Sequence, residues 1–182
     1  MIQNDYLWKG LLEEVFDDFL SFMYPDESDL FDFAKGFEFL DKELSDLFPH
    51  VDWKAPKFVD KLVKVHLKNG EDKWFLVHLE VQSYRDKDLE DRMFTYYYRI
   101  RDRYHKEVTA WVILADESQT YRPQQYQAKF FGTEIIYNFN VFKIINQDET
   151  ILKESNNIFA TIVLTVLLYL KNKKKLKGDS LV

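Results

Sequence analysis

The chain has 182 residues, 46% of them hydrophobic, with only 5 Gly and 4 Pro; this excludes a disordered, collagen-like or linker-rich polypeptide and predicts one domain. It has no Cys, which removes disulfides, thiolate zinc sites and cysteine nucleophiles, and fits a reducing, cytoplasmic setting. The net charge of −6 means that any nucleic-acid contact has to come from a local basic patch.

The opening residues Met1 to Tyr6 lack the basic and apolar regions of a secretory leader, so none is expected. Over residues 5–23, Leu7, Leu11, Leu12, Val15, Phe16, Phe19 and Met23 recur at three- and four-residue spacing, which predicts an amphipathic helix capped by Asn4 and stopped by Pro25. A second helix is expected over 37–47, with Phe37, Leu40, Leu44 and Leu47 on one face and Glu38, Asp41 and Glu43 around it. Strands follow at 57–68 and 73–82, joined through Asn69-Gly70, a strong hairpin signal. Their apolar faces must coincide, because a one-residue slip would turn every side chain over. A three-residue loop at 69–71 then sets Val63 opposite Val77, Val65 opposite Phe75 and Asp60 opposite Glu80, with Gln82 one step along the same face.

Residues 88–105 read as a helix, with Leu89, Met93, Tyr97 (or Tyr96), Ile100 and Tyr104 buried and a basic stripe of Arg92, Tyr96, Arg99 and Arg103. The run 108–115 is apolar like a buried strand, and 133–145 alternates like a second strand after a polar loop containing Pro123. The chain closes with a helix over 158–175, whose apolar stretch Ile158 to Leu170 is 13 residues long. A membrane span needs about 20, so a buried terminal helix is favoured over an anchor. The order of elements gives an α/β domain with a mixed central sheet flanked by helices. Within the single domain, 1–28 is an N-terminal helix, 29–150 the core and 151–182 a C-terminal helix.

Two carboxylates brought together at one end of a sheet repel each other unless a cation holds them. Mg²⁺ (or Mn²⁺) takes hard oxygen ligands, commonly one or two carboxylates with water and substrate phosphate, and a polar residue nearby can orient the attacking water. Asp60, Glu80 and Gln82 meet those needs. The competing reading is a hairpin with an ordinary polar face. Arg92, Arg99 and Arg103 are candidates for phosphate contact, set against a solvated helix face balanced by Glu90, Asp91 and Asp102. His66 and His78 share the face of Asp60 and Glu80, as an extra ligand, a proton shuttle or plain surface residues. No Walker loop, dinucleotide fingerprint, HExxH or GxSxG occurs.

The stretches FEFLDKEL (37–44), FVDKLVKVHLKNGEDKWFLVHLEVQ (58–82) and DRMFTYYYRIRDRY (91–104) resemble the recombination-promoting nuclease, or Rpn-like transposase, family of the PD-(D/E)XK nuclease superfamily. The likeness runs from about residue 29 to about 170. It implies a restriction-endonuclease-like core of a helix, three strands, a helix and a strand. It also implies Mg²⁺-dependent DNA endonuclease activity linked to recombination or mobile elements. Asp60 and Glu80 would be the metal ligands, and Gln82 stands where the superfamily usually has Lys. Glu43 is the helical acid expected to assist, with Glu38 and Asp41 as alternatives. Relatives continue beyond the segment matching 157–160 into a longer helical tail, so the C-terminus reads as a short or truncated version, with an apolar face that favours self-association into a homo-oligomer. The alternative function is a catalytically inactive nuclease-fold remnant that binds nucleic acid or protein.

Overall fold

The computed structural model describes residues 10–47, 59–80 and 87–179, with 59, 60, 78–80 and 174–179 described as backbone only. Helical residues 10–14 lead through a break at Val15 into α1 (Phe16–Met23). The short strand β1 (Phe37–Phe39) and helix α2 (Asp41–Asp46) follow. Then come β2 (Val59–His66), β3 (Asp72–Glu80), the long helix α3 (Leu89–Tyr104) and β4 (Val108–Leu114). A separate hairpin of β5 (Gln125–Phe130) and β6 (Thr133–Asn138) precedes β7 (Asn140–Lys143), α4 (Glu149–Glu154) and α5 (Ile158–Asp179). The main sheet has the order β1-β2-β3-β4-β7 and is mixed: β1, β2 and β3 run antiparallel in turn, and β4 and β7 continue parallel to β3.

Strands β2, β3 and β4 bury side chains on both faces, so each face needs its own cover. Val63, Val65, Phe75, Val77 and Ile113 pack under α1 and α5, against Phe16, Phe19, Phe159, Val163 and Leu167. The opposite face, Leu62, Leu76, Ala110, Val112 and Leu114, packs under α2 and α3, against Leu44, Leu89, Met93, Tyr96 and Ile100. On α5 the buried positions Phe159, Ala160, Val163, Leu167 and Leu170 repeat with the helical period, while Ile158, Leu168 and Tyr169 stay exposed. Among the described residues no helix is long and apolar enough to cross a membrane.

Several expected elements are corrected here. Residues 37–39 are a strand, not the first turn of a helix: Phe37 and Phe39 pair with Val65 and Val63. The 133–145 stretch breaks into β6 and β7 with Phe139 between them, and the polar segment before it forms β5. The hairpin joining β2 and β3 keeps a three-residue loop, but at 68–70: Leu67 N–H donates to the Glu71 carbonyl at 2.8 Å, and Gly70 takes φ +89°. The register therefore moves by two, with Val63 opposite Phe75 and Asp60 opposite His78 rather than Glu80. A shift of two preserves every residue's face, which is why the apolar pattern could not tell the two registers apart.

The two terminal helices are tied to each other. The Asp18 carboxylate of α1 accepts the Ile158 N–H at 3.2 Å, and Asn157 donates its side-chain amide to the Asp18 carbonyl at 2.9 Å. Asn157 Oδ1 also accepts the Ala160 N–H, so the start of α5 is capped from within and from α1. Farther along, Glu149 receives Lys153 at 2.6 Å and Lys171 at 2.9 Å, pinning α4 to α5. Hydrogen bonds from Lys153 and then Lys171 hold the Glu149 carboxyl at about 2, below its ordinary 4.5. Because this folded-state value is depressed, the pair's contribution is complete above about pH 4.5 and is lost as pH falls toward 2. A carboxyl-detected NMR titration is expected to give Glu149 a midpoint near 2. Acid unfolding of Glu149→Gln should show a weaker dependence on pH across that window than the wild type.

Candidate metal and nucleic-acid site

Asp60 is the second residue of β2 and Glu80 the last of β3. Asp60 lies opposite His78, so its backbone position and that of Glu80 fall on one face of the sheet, one diagonal step apart. In a regular antiparallel pair that diagonal is about 7–8 Å. The face is the one covered by α2 and α3, since Leu62 and Leu76 of the same parity pack there. Glu80 stands beside Leu114 of β4, which in turn stands beside Lys143 of β7. The row lies at the C-terminal ends of three parallel strands, the customary place for ligand sites in open α/β sheets. Gln82 lies outside the described residues.

The helical acids are distributed differently from one another. Glu38 sits on β1 and pairs with Lys64 at 2.9 Å and with His66 at 3.4 Å. Asp41, at the start of α2, pairs with Lys61, the neighbour of Asp60 in sequence. Glu43 is half-buried near the far end of α3: its carbonyl receives the Tyr104 hydroxyl at 3.4 Å. Burial, helped by the Glu43 charge, raises the Tyr104 pKa. Of the three, Asp41 is thus placed nearest the start of β2. His66 belongs to the opposite end of the hairpin, bonded to Asp72 at 2.7 Å, and is not brought to Asp60. Burial of Asp72 works against its ionisation, but the hydrogen bond from His66 and the charge of Lys64 outweigh it and lower its pKa.

Of the arginine stripe, Arg99 and Arg103 are exposed and Arg92 is half-buried, while Tyr96 turns into the core at 3% exposure. The buried stripe of α3 therefore runs through Tyr96, not Tyr97. Arg99 donates to the Leu47 carbonyl at 2.6 Å, fastening α3 to the end of α2.

Two lysines inside the fold were missed in the sequence. Lys61, 2% exposed, points to the α1 side and pairs with Glu13 and Asp41 while lying 5.6 Å from the Phe39 ring centre. Lys143, 1% exposed, pairs with Asp116, 5% exposed at its side chain, and lies 5.7 Å from the centre of the Tyr121 ring. Asp116 also accepts the Ser118 N–H at 2.8 Å, which shapes the turn leaving β4. A buried charge without a partner is very costly, so each of these lysines requires its acid. The signal was available in principle, as a lone Lys within an apolar strand and an Asp directly after one. Neither could be paired without the β4–β7 register. Among the described residues no group of three or more His, Asp or Glu forms a ready cage for a metal.

No family model, no curated protein and no solved structure matches the chain.

Breaking the buried pair should cost stability without touching the carboxylates of β2 and β3. Lys143→Ala or Asp116→Ala is expected to destabilise the protein by about 3–5 kcal/mol in urea unfolding. The double replacement Lys143→Met with Asp116→Leu should recover most of that loss, because it removes both buried charges at once.

Proposed function

We propose that the protein is a metal-dependent DNA endonuclease of the PD-(D/E)XK type, related to the recombination-promoting nucleases. The observation that carries this reading is the placement of Asp60 and Glu80 at strand ends on one face of the β2–β3 hairpin, one diagonal step apart. The element order adds support. Among the described residues a helix (α1), three strands (β1 to β3), a helix (α3) and a strand (β4) follow one another, with two short 3₁₀ turns inserted before β1 and the short α2 after it. This is the sequence of elements that the motif resemblance implies.

The donor set fits a hard divalent cation, since two carboxylates offer oxygen ligands and the chain has no thiolate to compete. Asp60 and Glu80 would hold Mg²⁺ (or Mn²⁺), which when bound supplies Lewis acidity at a phosphate oxygen and compensates the charge that builds there. Gln82 can orient a water through its amide. It cannot relieve that water of a proton as the neutral amine of a Lys could, so its part is positioning. Arg92, Arg99 and Arg103 lie along α3, whose start follows β3 in a parallel crossover, and they would meet the DNA backbone as cations. Asp41, through Lys61, and Glu43 contribute to the packing of α2 beside β2.

The presence of Gln82 in place of Lys favours one alternative, a nuclease fold that binds nucleic acid or protein without cutting. The two readings separate cleanly in a plasmid assay with Mg²⁺ or Mn²⁺. Nicking or cutting by the wild type, reduced about 100-fold or more in Asp60→Ala and in Glu80→Gln at unchanged thermal stability, is the expected outcome. Salt-sensitive binding with no cutting under any divalent cation would establish the inactive form instead. Cutting that survives both substitutions would place the chemistry elsewhere.

A further inference from the structure

Lys143 and Asp116 form a charge pair shut inside the fold. Such a pair is an inefficient stabiliser, because well-packed apolar side chains of similar volume often do as well in its place. Its position is informative. Lys143 is the last residue of β7 and stands beside Leu114, the last of β4. Leu114 in turn stands beside Glu80, the last of β3. Paired residues of neighbouring strands share a face, so Lys143, Leu114 and Glu80 form one row on the side covered by α2 and α3. At strand spacing the backbones of Lys143 and Glu80 are about 10 Å apart, with Leu114 between them. Lys61, the other buried lysine, points to the opposite face.

The pair leans toward the site. Asp116 follows Leu114 by two residues, and Ala115 between them belongs to the α1 and α5 side. Lys143 reaches back from β7 to meet Asp116 just past the end of β4, which is the direction of β3. The Tyr121 ring backs the ammonium, with its centre 5.7 Å away. Both Asp116 oxygens are engaged, Oδ2 by Lys143 and Oδ1 by the Ser118 N–H at 2.8 Å. Asp116 is thus an anchor for the ammonium and not a further cation ligand. It also cancels the lysine's charge. A lone ammonium in this place would repel a divalent cation, whereas the pair leaves the carboxylates of Asp60 and Glu80 to complement one.

We infer that Lys143 is a positioning residue of the cation site, its ammonium shared between Asp116 and the carboxylate of Glu80. This rests on the assignment of Asp60 and Glu80 to that site. An ammonium has three donors and no acceptor, so one lysine serves two carboxylates at once. Its four-carbon stem and the glutamate side chain together span the ~10 Å between the two backbones. A ligand carboxylate tied from behind by a charged hydrogen bond keeps one orientation before the cation arrives. Gln82 brings no charge to the site, whereas Lys143 does. Glu80→Gln still presents an oxygen to the ammonium, and Asp116 still neutralises it, so that substitution leaves the fold in place.

The test measures Mn²⁺ binding to the full chain without DNA, by electron paramagnetic resonance, alongside plasmid cleavage with Mn²⁺. The wild type is expected to bind Mn²⁺, and Glu80→Gln to abolish that binding. Lys143→Met with Asp116→Leu removes both charges of the pair at once and should melt close to the wild type. This double variant should bind Mn²⁺ about tenfold or more weakly and cut with a kcat about tenfold or more lower, at an unchanged KM for DNA. A second measurement needs no double variant: the ¹⁵N resonance of the Lys143 ammonium in the metal-free protein should shift on Glu80→Gln. A resonance that stays in place would overturn the inference, as would Mn²⁺ binding that Glu80→Gln leaves unchanged. Mn²⁺ affinity and kcat equal to the wild type in the double variant would make the pair purely structural. Mn²⁺ binding that depends on Lys143, with no cutting even by the wild type, upholds the positioning role and refutes the nuclease alone. Cutting by the wild type that the double variant retains in full refutes the positioning role alone.

Discussion

The constraint on which the structure depends is that the central strands are apolar on both faces. Leu62 and Val63 are neighbours on β2 and both are fully buried, and Leu76 and Val77 repeat this on β3. A sheet of that kind cannot leave either side to water, so the chain has to supply two separate covers. One comes from the two ends of the chain, α1 and α5, and the other from its middle, α2 and α3. The charged groups that enter this interior do so in pairs, Lys61 with Glu13 and Asp41, and Lys143 with Asp116. The site proposed for the cation lies at the start of β2 and the finish of β3.

Much of this arrangement was legible in the sequence because burial imposes a period. The α3 stripe of Leu89, Met93 and Ile100, the apolar run of β4 and the alternation of β2 and β3 all follow directly from which residues must avoid water. What the period could not supply was whatever depends on long-range geometry. The hairpin register differs by two residues from the expected one, and a shift of two leaves the hydrophobic pattern unchanged. Phe37 was read at helical spacing with Leu40, Leu44 and Leu47, but Phe37 and Phe39 pair with Val65 and Val63 in an edge strand whose partner is more than twenty residues away. The segment of β5 does alternate, with Tyr126, Ala128 and Phe130 set between Gln125, Gln127 and Lys129, but only Tyr126 and Ala128 are buried even in part, and the stretch was read as a polar loop.

For the candidate site the sequence named the residue types and their shared face. It could not say how the acids of the 38–43 segment are partnered. Glu38 is drawn toward Lys64 and His66, while Asp41 is held by Lys61 beside Asp60. That difference arises from the turn between β1 and α2, where the Leu40 N–H donates to the Leu62 carbonyl at 2.7 Å. Likewise the buried Lys143 only acquires meaning once β7 is set next to β4, because its acid lies 27 residues earlier.

The bond between Asp18 and the start of α5 joins residues 140 positions apart. During synthesis α1 emerges long before Phe159, which is part of the surface against which Phe19 and Phe22 pack. At ribosomal rates the interval is on the order of ten seconds. Throughout it the first helix carries an aromatic face whose final partner does not yet exist. The closing of that face is therefore a late, non-local event, of the sort that slows folding and leaves a nascent chain open to association or to capture by a chaperone.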